Sequence, residues 1–439
     1  MLKCYLLNGE FKEIEMEGFD RIAESIAENR AILENMPLTA IVELLHQLGK
    51  SIIRDKELAG LDGASYISIW LRRDNLERIC RLNFGDNTFA DQFADGGIGF
   101  SMMAQPRGIV CHWVASNVPT LSFFSLVMGI LTKNGNILKV SEENRNTLTA
   151  LLRGLSNVKV EIGSKEYLGR DIVRAISVVS FDSRESAIGE AFSMVADCKV
   201  IWGGADSVKA ITALPQKETC EIIPFGPKYS FGVFDRGSVE NNEFRSNLRK
   251  VLRDVLLFNQ MACSSPQVLF FEKSSKSLKD IAQIMKEEFE ALPSKLLERP
   301  IPQHVASRII TTRGMYLLSD NKEVVQPQGL DWTILISRDP GLEDPVHGGC
   351  IFVKEVDSIN DVVPFVTRKI QAIVLCTTTE QSRIEFARLA TRRGADRIVL
   401  PGTAHDFTLP WDGIMAINRL VRWVILYSEK NDGGSNAAG

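Results

Sequence analysis

The 439-residue chain has no C-x-x-C pair among its eight cysteines, only five histidines, and no run of lysines or arginines. Thiols scattered without paired spacing exclude a zinc-ribbon framework and suit the reduced cysteines of a cytoplasmic protein. Five histidines without clustered ligand spacing leave no expected metal centre. A net charge of -4, with no basic patch interleaved with aromatics, argues against a nucleic-acid surface. No apolar run reaches bilayer length. The longest, 118–131, is interrupted by Ser122, Ser125 and Gly129 and reads as a buried helix, so no membrane span is expected. The first ten residues turn polar too soon for a secretory signal. No G-x-G-x-x-G fingerprint occurs in the first half, and no internal repeat is visible. What remains is ordinary globular composition, 45% hydrophobic and 24% charged, in a chain long enough for two or three cores.

Along the first 100 residues the pattern is mixed, with helices expected over 19–29, 38–50 and 64–82. Apolar runs then alternate with helical periodicity, the signature of a parallel α/β sheet. Strands are expected over 108–114, 136–140, 175–181, 198–202 and 220–224, with helices over 120–133, 145–155, 185–196 and 206–214. A second α/β unit follows, with helices over 241–258, 277–291 and 380–393 and strands over 267–271, 332–336, 351–353, 372–376 and 397–400. Residues 293–305 and 311–328 read as irregular connections. The expected fold is two parallel-sheet α/β lobes with the active site in the cleft between them. Residues 1–234 form the cofactor-binding domain, 235–430 the catalytic domain and 431–439 a disordered tail.

The chemistry-bearing stretch is Phe258-Asn259-Gln260-Met261-Ala262-Cys263-Ser264. It sits between an amphipathic helix, apolar at Phe244, Leu248, Val251, Leu252, Val255, Leu256 and Leu257, and a strand-like run after Pro266. Cys263 therefore falls in a helix-to-strand turn, where a thiolate can face a ligand and carry an acyl group as a thioester. A buried structural cysteine is the plain alternative. In the first lobe, Trp202-Gly203-Gly204 closes a strand ahead of a helix, a turn that admits a phosphate or is simply a turn. Lys139-Val140-Ser141-Glu142 ends another strand at the ligand-bearing edge, where Lys139 and Glu142 could hold a ribose or be solvated ends. Asn117, before a buried helix, could stabilise an oxyanion through its amide N–H or act as a helix cap.

Taken in order, these segments resemble the aldehyde dehydrogenase superfamily over residues 100–425. The Pro106 to Pro119 stretch is similar to its Pro-Trp-Asn-Phe-Pro strand and turn. Gly135 to Glu142 resembles its adenosine-ribose segment, Trp202-Gly203-Gly204 its phosphate turn, and Phe258 to Cys263 its nucleophile segment. Leu257 to Pro266 looks specifically like the long-chain fatty acyl-CoA reductases, the group that includes the reductase component of the bacterial bioluminescence fatty-acid reductase complex. The resemblance implies Cys263 as nucleophile, Asn117 as oxyanion donor, and Lys139, Ser141, Glu142, Gly203 and Gly204 at a nicotinamide cofactor. NADPH is implied, with NADH possible. It further implies a fatty acyl-CoA or acyl-protein thioester substrate, acyl-protein synthetase and acyl-transferase partner subunits, and a homo-oligomer.

Two departures matter. Aldehyde dehydrogenases carry a base that hydrolyses the thioester; here Pro224 stands at that position and cannot accept a proton. Glu221, three residues away, points to the other strand face and is expected not to substitute. Near Pro345-Val346-His347-Gly348-Gly349 no glutamate is in register to hold the nicotinamide ribose; Glu343 and Asp344 are the neighbours, and His347 reads as an exposed loop residue. The expectation is reduction of an acyl thioester to aldehyde through an acyl-cysteine. The alternatives are thiol-to-thiol acyl transfer without hydride, the same chemistry run oxidatively as a CoA-acylating aldehyde dehydrogenase, and a silent assembly subunit.

Overall fold

The computed structural model describes residues 1–427, apart from Ser116, Asn117, Pro119, Glu298 and the side chain of Glu143. Asn117 and the 431–439 tail thus lie outside the described residues. The chain divides into two compact units, one of residues 1–226 with 408 onward, the other 227–407.

The first unit carries a seven-stranded sheet. Its order is Glu221–Phe225, Cys198–Trp202, Ile109–Trp113, Gly135–Lys139, Ile176–Ser180, Leu2–Leu6 and Ile14–Met16. The first five strands run parallel, and the last two are antiparallel. Five strands and the intervening helices fall where apolar periodicity predicts them. Helix Leu121–Leu131 is buried from Ser122 to Leu131, which is why its sequence is apolar all round. The helix expected over 64–82 is two, Ala64–Trp70 and Arg73–Phe84. The chain turns because Trp70 and Leu71 are both buried, and Asn75 Nδ2 donates to the Trp70 carbonyl across the break at 2.7 Å.

The second unit carries another seven-stranded sheet, ordered Lys322–Val325, Thr333–Ser337, Cys350–Val356, Pro266–Glu272, Tyr229–Phe234, Ile370–Cys376 and Arg397–Val399. All pairings are parallel except that of Lys322–Val325. Two expected boundaries move. Tyr229–Phe234 opens this sheet, so the division lies near 226 rather than 234. Val421–Tyr427 pairs antiparallel with Phe100–Pro106, so this strand returns to the first unit instead of closing the second.

A third expectation is corrected. Much of the stretch read as irregular is helix Gln303–Leu317, opened by Pro302. Its core stripe is Val305, Ile309, Arg313 and Tyr316, and the arginine inside the stripe hid the period. Arg313 is accepted there because Nε bonds Thr333 Oγ1 at 3.0 Å, while Nη1 and Nη2 reach the carbonyls of Gly329 and Trp332 at 2.9 and 3.0 Å.

Candidate active site

The second unit builds the turn that carries Cys263 by straining it. Helix Phe244–Leu256 buries its apolar face and ends at Leu256. Phe258, Asn259 and Gln260 then adopt φ of 54°, 54° and 61°, left-handed values that cost a non-glycine residue about 1–2 kcal/mol each. Hydrogen bonds hold the run in place. The Gln260 side-chain amide donates to the carbonyls of Pro266 at 2.9 Å and Cys350 at 3.0 Å. Its main-chain carbonyl accepts from Gln267 Nε2 at 3.2 Å and from His347 Nδ1 at 2.9 Å. The Gly348 N–H donates to the Asn259 carbonyl at 2.9 Å. The facing loop is itself left-handed, with φ of 70°, 65° and 79° at His347, Gly348 and Gly349.

Cys263 follows, half-buried, in a turn closed by Ser265 N–H to the Ala262 carbonyl at 2.9 Å. Ser230 Oγ donates to the Cys263 carbonyl at 2.7 Å. The turn lies at the amino end of strand Pro266–Glu272, held from a neighbouring strand. An array of backbone and side-chain bonds thus fixes the peptide that carries the thiol.

His347 is no exposed loop histidine. It is half-buried, and burial holds its pKa below the ordinary value. Nδ1 must carry the proton it gives to Gln260, so Nε2 keeps the lone pair in the neutral ring. Glu343 is committed elsewhere: its Oε1 takes the buried Lys354 ammonium at 2.7 Å, and its carbonyl accepts from Tyr229.

In the first unit, the strand order reverses direction between Ile109–Trp113 and Cys198–Trp202, the topological switch point at which open α/β sheets bind ligands. Lys139 lies in register with Trp113, and Trp113 with Ile201, so Lys139 and the Gly203-Gly204 turn flank one carboxyl edge. At Gly203 a Cβ would lie 3.1 Å from Ser207 Cβ, a tight contact. At Gly204, which caps helix Ala205–Thr212, a Cβ would meet nothing within 4 Å. Open space ahead of a helix start suits a diphosphate. Trp202 stacks on Phe225 at 3.7 Å, and its indole donates to Ser125 Oγ at 3.0 Å. Lys139 Nζ lies 2.5 Å from Ser183 Oγ and 4.8 Å over the Phe181 ring; burial lowers its pKa, opposed by Asp182. Ser141 caps helix Glu142–Ser156 by accepting from Asn144 N–H, and Glu142 is exposed in the first turn. These residues fit a dinucleotide with the ribose at Glu142. Arg145 is held 4.7 Å over the Tyr5 ring.

Five expected cofactor residues therefore share one sheet edge of the first unit, while Cys263 belongs to the second. Asn117 lies outside the described residues. Sequence reasoning assigned no part to Ser230 and Ser264, which bond at the Cys263 turn, or to His405 and Asp254 behind Ser264. Ser264 was legible as a neighbour of Cys263, whereas His405 is 141 positions further on.

Pro224 lies within strand Glu221–Phe225, paired with Ile201. Glu221 is clamped by two arginines, at 2.8 Å from Arg419 Nε and 3.2 Å from an Arg107 nitrogen. We expect Glu221→Gln to leave aldehyde formation unchanged while costing about 1–2 kcal/mol of stability in urea unfolding. A loss of turnover at unchanged stability would assign this carboxylate a chemical role instead.

Among the described residues no helix is long and apolar enough to cross a membrane. Solved structures share the fold at low identity. Aldehyde dehydrogenase 21 from Physcomitrella patens superposes with a TM-score of 0.70, 9% identity and 98% of each chain covered. Delta-pyrroline-5-carboxylate dehydrogenase from Mycobacterium tuberculosis gives 0.68 and 14%, covering 100% of this chain and 90% of that one. By sequence, long-chain acyl-protein thioester reductase 2 of Photobacterium leiognathi is 26% identical over 393 residues, 88% of this chain and 77% of that protein. Long-chain acyl-protein thioester reductase of Aliivibrio fischeri is 23% identical over 458 residues, 95% and 90% respectively. A family model described as acyl-CoA reductase (LuxC) matches residues 33–423. With an aldehyde-dehydrogenase fold and a match over most of its length, this chain belongs to the acyl-CoA reductase (LuxC) family.

Proposed function

We propose that this protein reduces a long-chain acyl thioester, fatty acyl-CoA or acyl-protein, to the fatty aldehyde through an acyl-cysteine at Cys263. The observation that carries this reading is the strained turn presenting a half-buried thiol from a left-handed segment that the fold over-determines. Cys263 attacks the acyl carbonyl, the Cys263 backbone N–H and the Asn117 amide N–H stabilise the developing oxyanion, and the donor thiol leaves. Pro224 supplies no base, so the acyl-enzyme is kept from hydrolysis. A reduced nicotinamide dinucleotide, held by Lys139, Ser141, Glu142, Gly203 and Gly204, supplies the hydride; Cys263 then departs as the aldehyde forms. Acyl-protein synthetase and acyl-transferase subunits would deliver the donor, to a homo-oligomer of this chain.

The family resemblance implies NADPH. The exposed Glu142 carboxylate, with Arg145 committed to Tyr5, supports NADH instead, because a carboxylate accepts a ribose 2′-OH and repels a 2′-phosphate. Oxidation of each nucleotide, followed by absorbance with acyl-CoA present, tests both. Oxidation of neither would refute the reductase reading in favour of thiol-to-thiol acyl transfer. Lys139→Met should weaken nucleotide binding about tenfold, roughly 1.4 kcal/mol, and leave acylation of Cys263 at its native rate. Native affinity in that variant would remove Lys139 from the site.

A further inference from the structure

Three polar side chains of the first unit, His112, Ser125 and Asn136, are each 0% exposed, in a core that is otherwise apolar. Buried polar groups cost free energy unless they are paired, and these are paired end to end. Trp202 Nε1 donates to Ser125 Oγ at 3.0 Å, Ser125 Oγ lies 2.7 Å from His112 Nδ1, and His112 Nε2 lies 3.1 Å from Asn136 Oδ1. The Asn136 amide is oriented by its own bond, Nδ2 donating to the Asn134 carbonyl at 2.7 Å, so Oδ1 accepts and His112 Nε2 carries a hydrogen. Burial pushes His112 down to about 4, so at neutral pH the ring is uncharged and Nδ1 holds a lone pair. Ser125 must then donate to Nδ1, while its oxygen accepts from the indole, which can only donate. The hydrogens run one way, from Trp202 to Asn136. Helix Leu121–Leu131 carries glycine where Asn136 passes: a Cβ at Gly129 would lie 1.9 Å from Asn136 Oδ1. His112 and Trp202 belong to Ile109–Trp113 and Cys198–Trp202, the two strands that flank the switch point.

We propose that this buried chain positions the nucleotide turn, Ser125 and His112 holding the Trp202 indole so that Gly203 and Gly204 keep one backbone path beside the diphosphate. The inference rests on the reading that the Gly203-Gly204 edge holds the nucleotide. Two successive glycines have no side chain with which to fix their own conformation, so neighbours must supply the constraint. Trp202 is the residue before them. Its ring lies flat on Phe225, centroids 3.7 Å apart and planes 7° apart. Stacking sets the plane of a ring, and the bond from one edge to Ser125 sets its rotation within that plane. The Gly203 N–H donates to the Phe225 carbonyl at 3.2 Å, so the turn and the stacked ring are tied to the same strand. Ser125 and His112 act through Trp202, as positioning residues.

The test is titration calorimetry of the full chain with NADH and with NADPH, alongside mass spectrometry of acyl-Cys263 formed from acyl-CoA without nucleotide. Ser125→Ala and Trp202→Phe, the second keeping a ring on Phe225, should each weaken nucleotide binding about tenfold and leave the acylation rate native. The double variant should bind no more weakly than either single one, because both changes remove the same link. A merely structural role would lower the urea midpoint and leave affinity native, and that result overturns the proposal. Effects that multiply to about 100-fold in the double variant overturn it too, since Ser125 would then not act through Trp202. So does a parallel loss of acylation, the mark of general damage. Should Ser125→Ala fail to fold, native affinity in Trp202→Phe alone is enough to overturn it. Lys139→Met separates the two readings. Weakened binding there beside native affinity in Ser125→Ala and Trp202→Phe removes only the positioning chain. Native affinity in all three variants, or a native chain that binds neither nucleotide, removes the nucleotide edge itself.

Discussion

Cys263→Ala should lower aldehyde formation from acyl-CoA by about 10⁴-fold, the scale on which removing a covalent nucleophile acts. The reason is that the other thiols of the unit cannot take its place: Cys350 and Cys376 are buried, with pKa values pushed up to about 12 and about 11 by that burial. A protonated, buried thiol is a poor nucleophile. Incubation with radiolabelled acyl-CoA should label the native chain and not the variant, and reduced nucleotide should release the label as aldehyde. Undiminished aldehyde formation by Cys263→Ala would sink the acyl-cysteine mechanism outright.

Gly349→Ala should be the most damaging single methyl near the site. At φ of +79° an alanine costs about 1 kcal/mol. The added Cβ would lie 2.9 Å from both the Asp331 carbonyl oxygen and Leu256 Cδ2, and 3.1 Å from Arg299 Nη2. Backbone cannot yield as a side-chain tip can, so overpacking adds about 1–3 kcal/mol. The expected shift is about 2–4 kcal/mol, read as a lower urea midpoint at constant slope. Because the 347–349 loop also holds the Asn259 and Gln260 carbonyls, alkylation of Cys263 by iodoacetamide should change rate as well. Gly314→Ala is the contrasting control: it sits inside helix Gln303–Leu317 with nothing within 4 Å of the new methyl. It should stabilise by about 0.5–1 kcal/mol. A tolerated Gly349→Ala would mean that the facing loop does not brace the nucleophile turn.

The alternating sheets were legible because buried parallel strands such as Val200 and Ile201, or Val374 and Leu375, are written as continuous apolar runs. Cys198–Trp202 and Glu380–Arg393 fall at the residues read from the pattern. Helix Gln303–Leu317 was not legible, since Arg313 occupies a core position satisfied by carbonyls far away in sequence. Strand Val421–Tyr427 escaped for a similar reason: its partner is Phe100–Pro106. At the site, Cys263 could be read from its turn, and the Gly203-Gly204 edge from the strand before it. The supports could not. His347 declared itself only through a bond to a main-chain carbonyl, and His405 through one bond to Ser264 and another to Asp254. Side chains that serve the backbone of another segment leave no periodic trace.

The pairing of Phe100–Pro106 with Val421–Tyr427 has a consequence for biosynthesis. The strand made early must wait for a mate encoded more than three hundred residues later, which at about 5–20 residues per second is a delay of roughly 15–60 s. The thiol-bearing unit is contiguous over 227–407 and can mature during that interval. Until residues 421–427 emerge from the ribosome, one ribbon edge stays open to association with other nascent chains, and chaperone engagement should concentrate there.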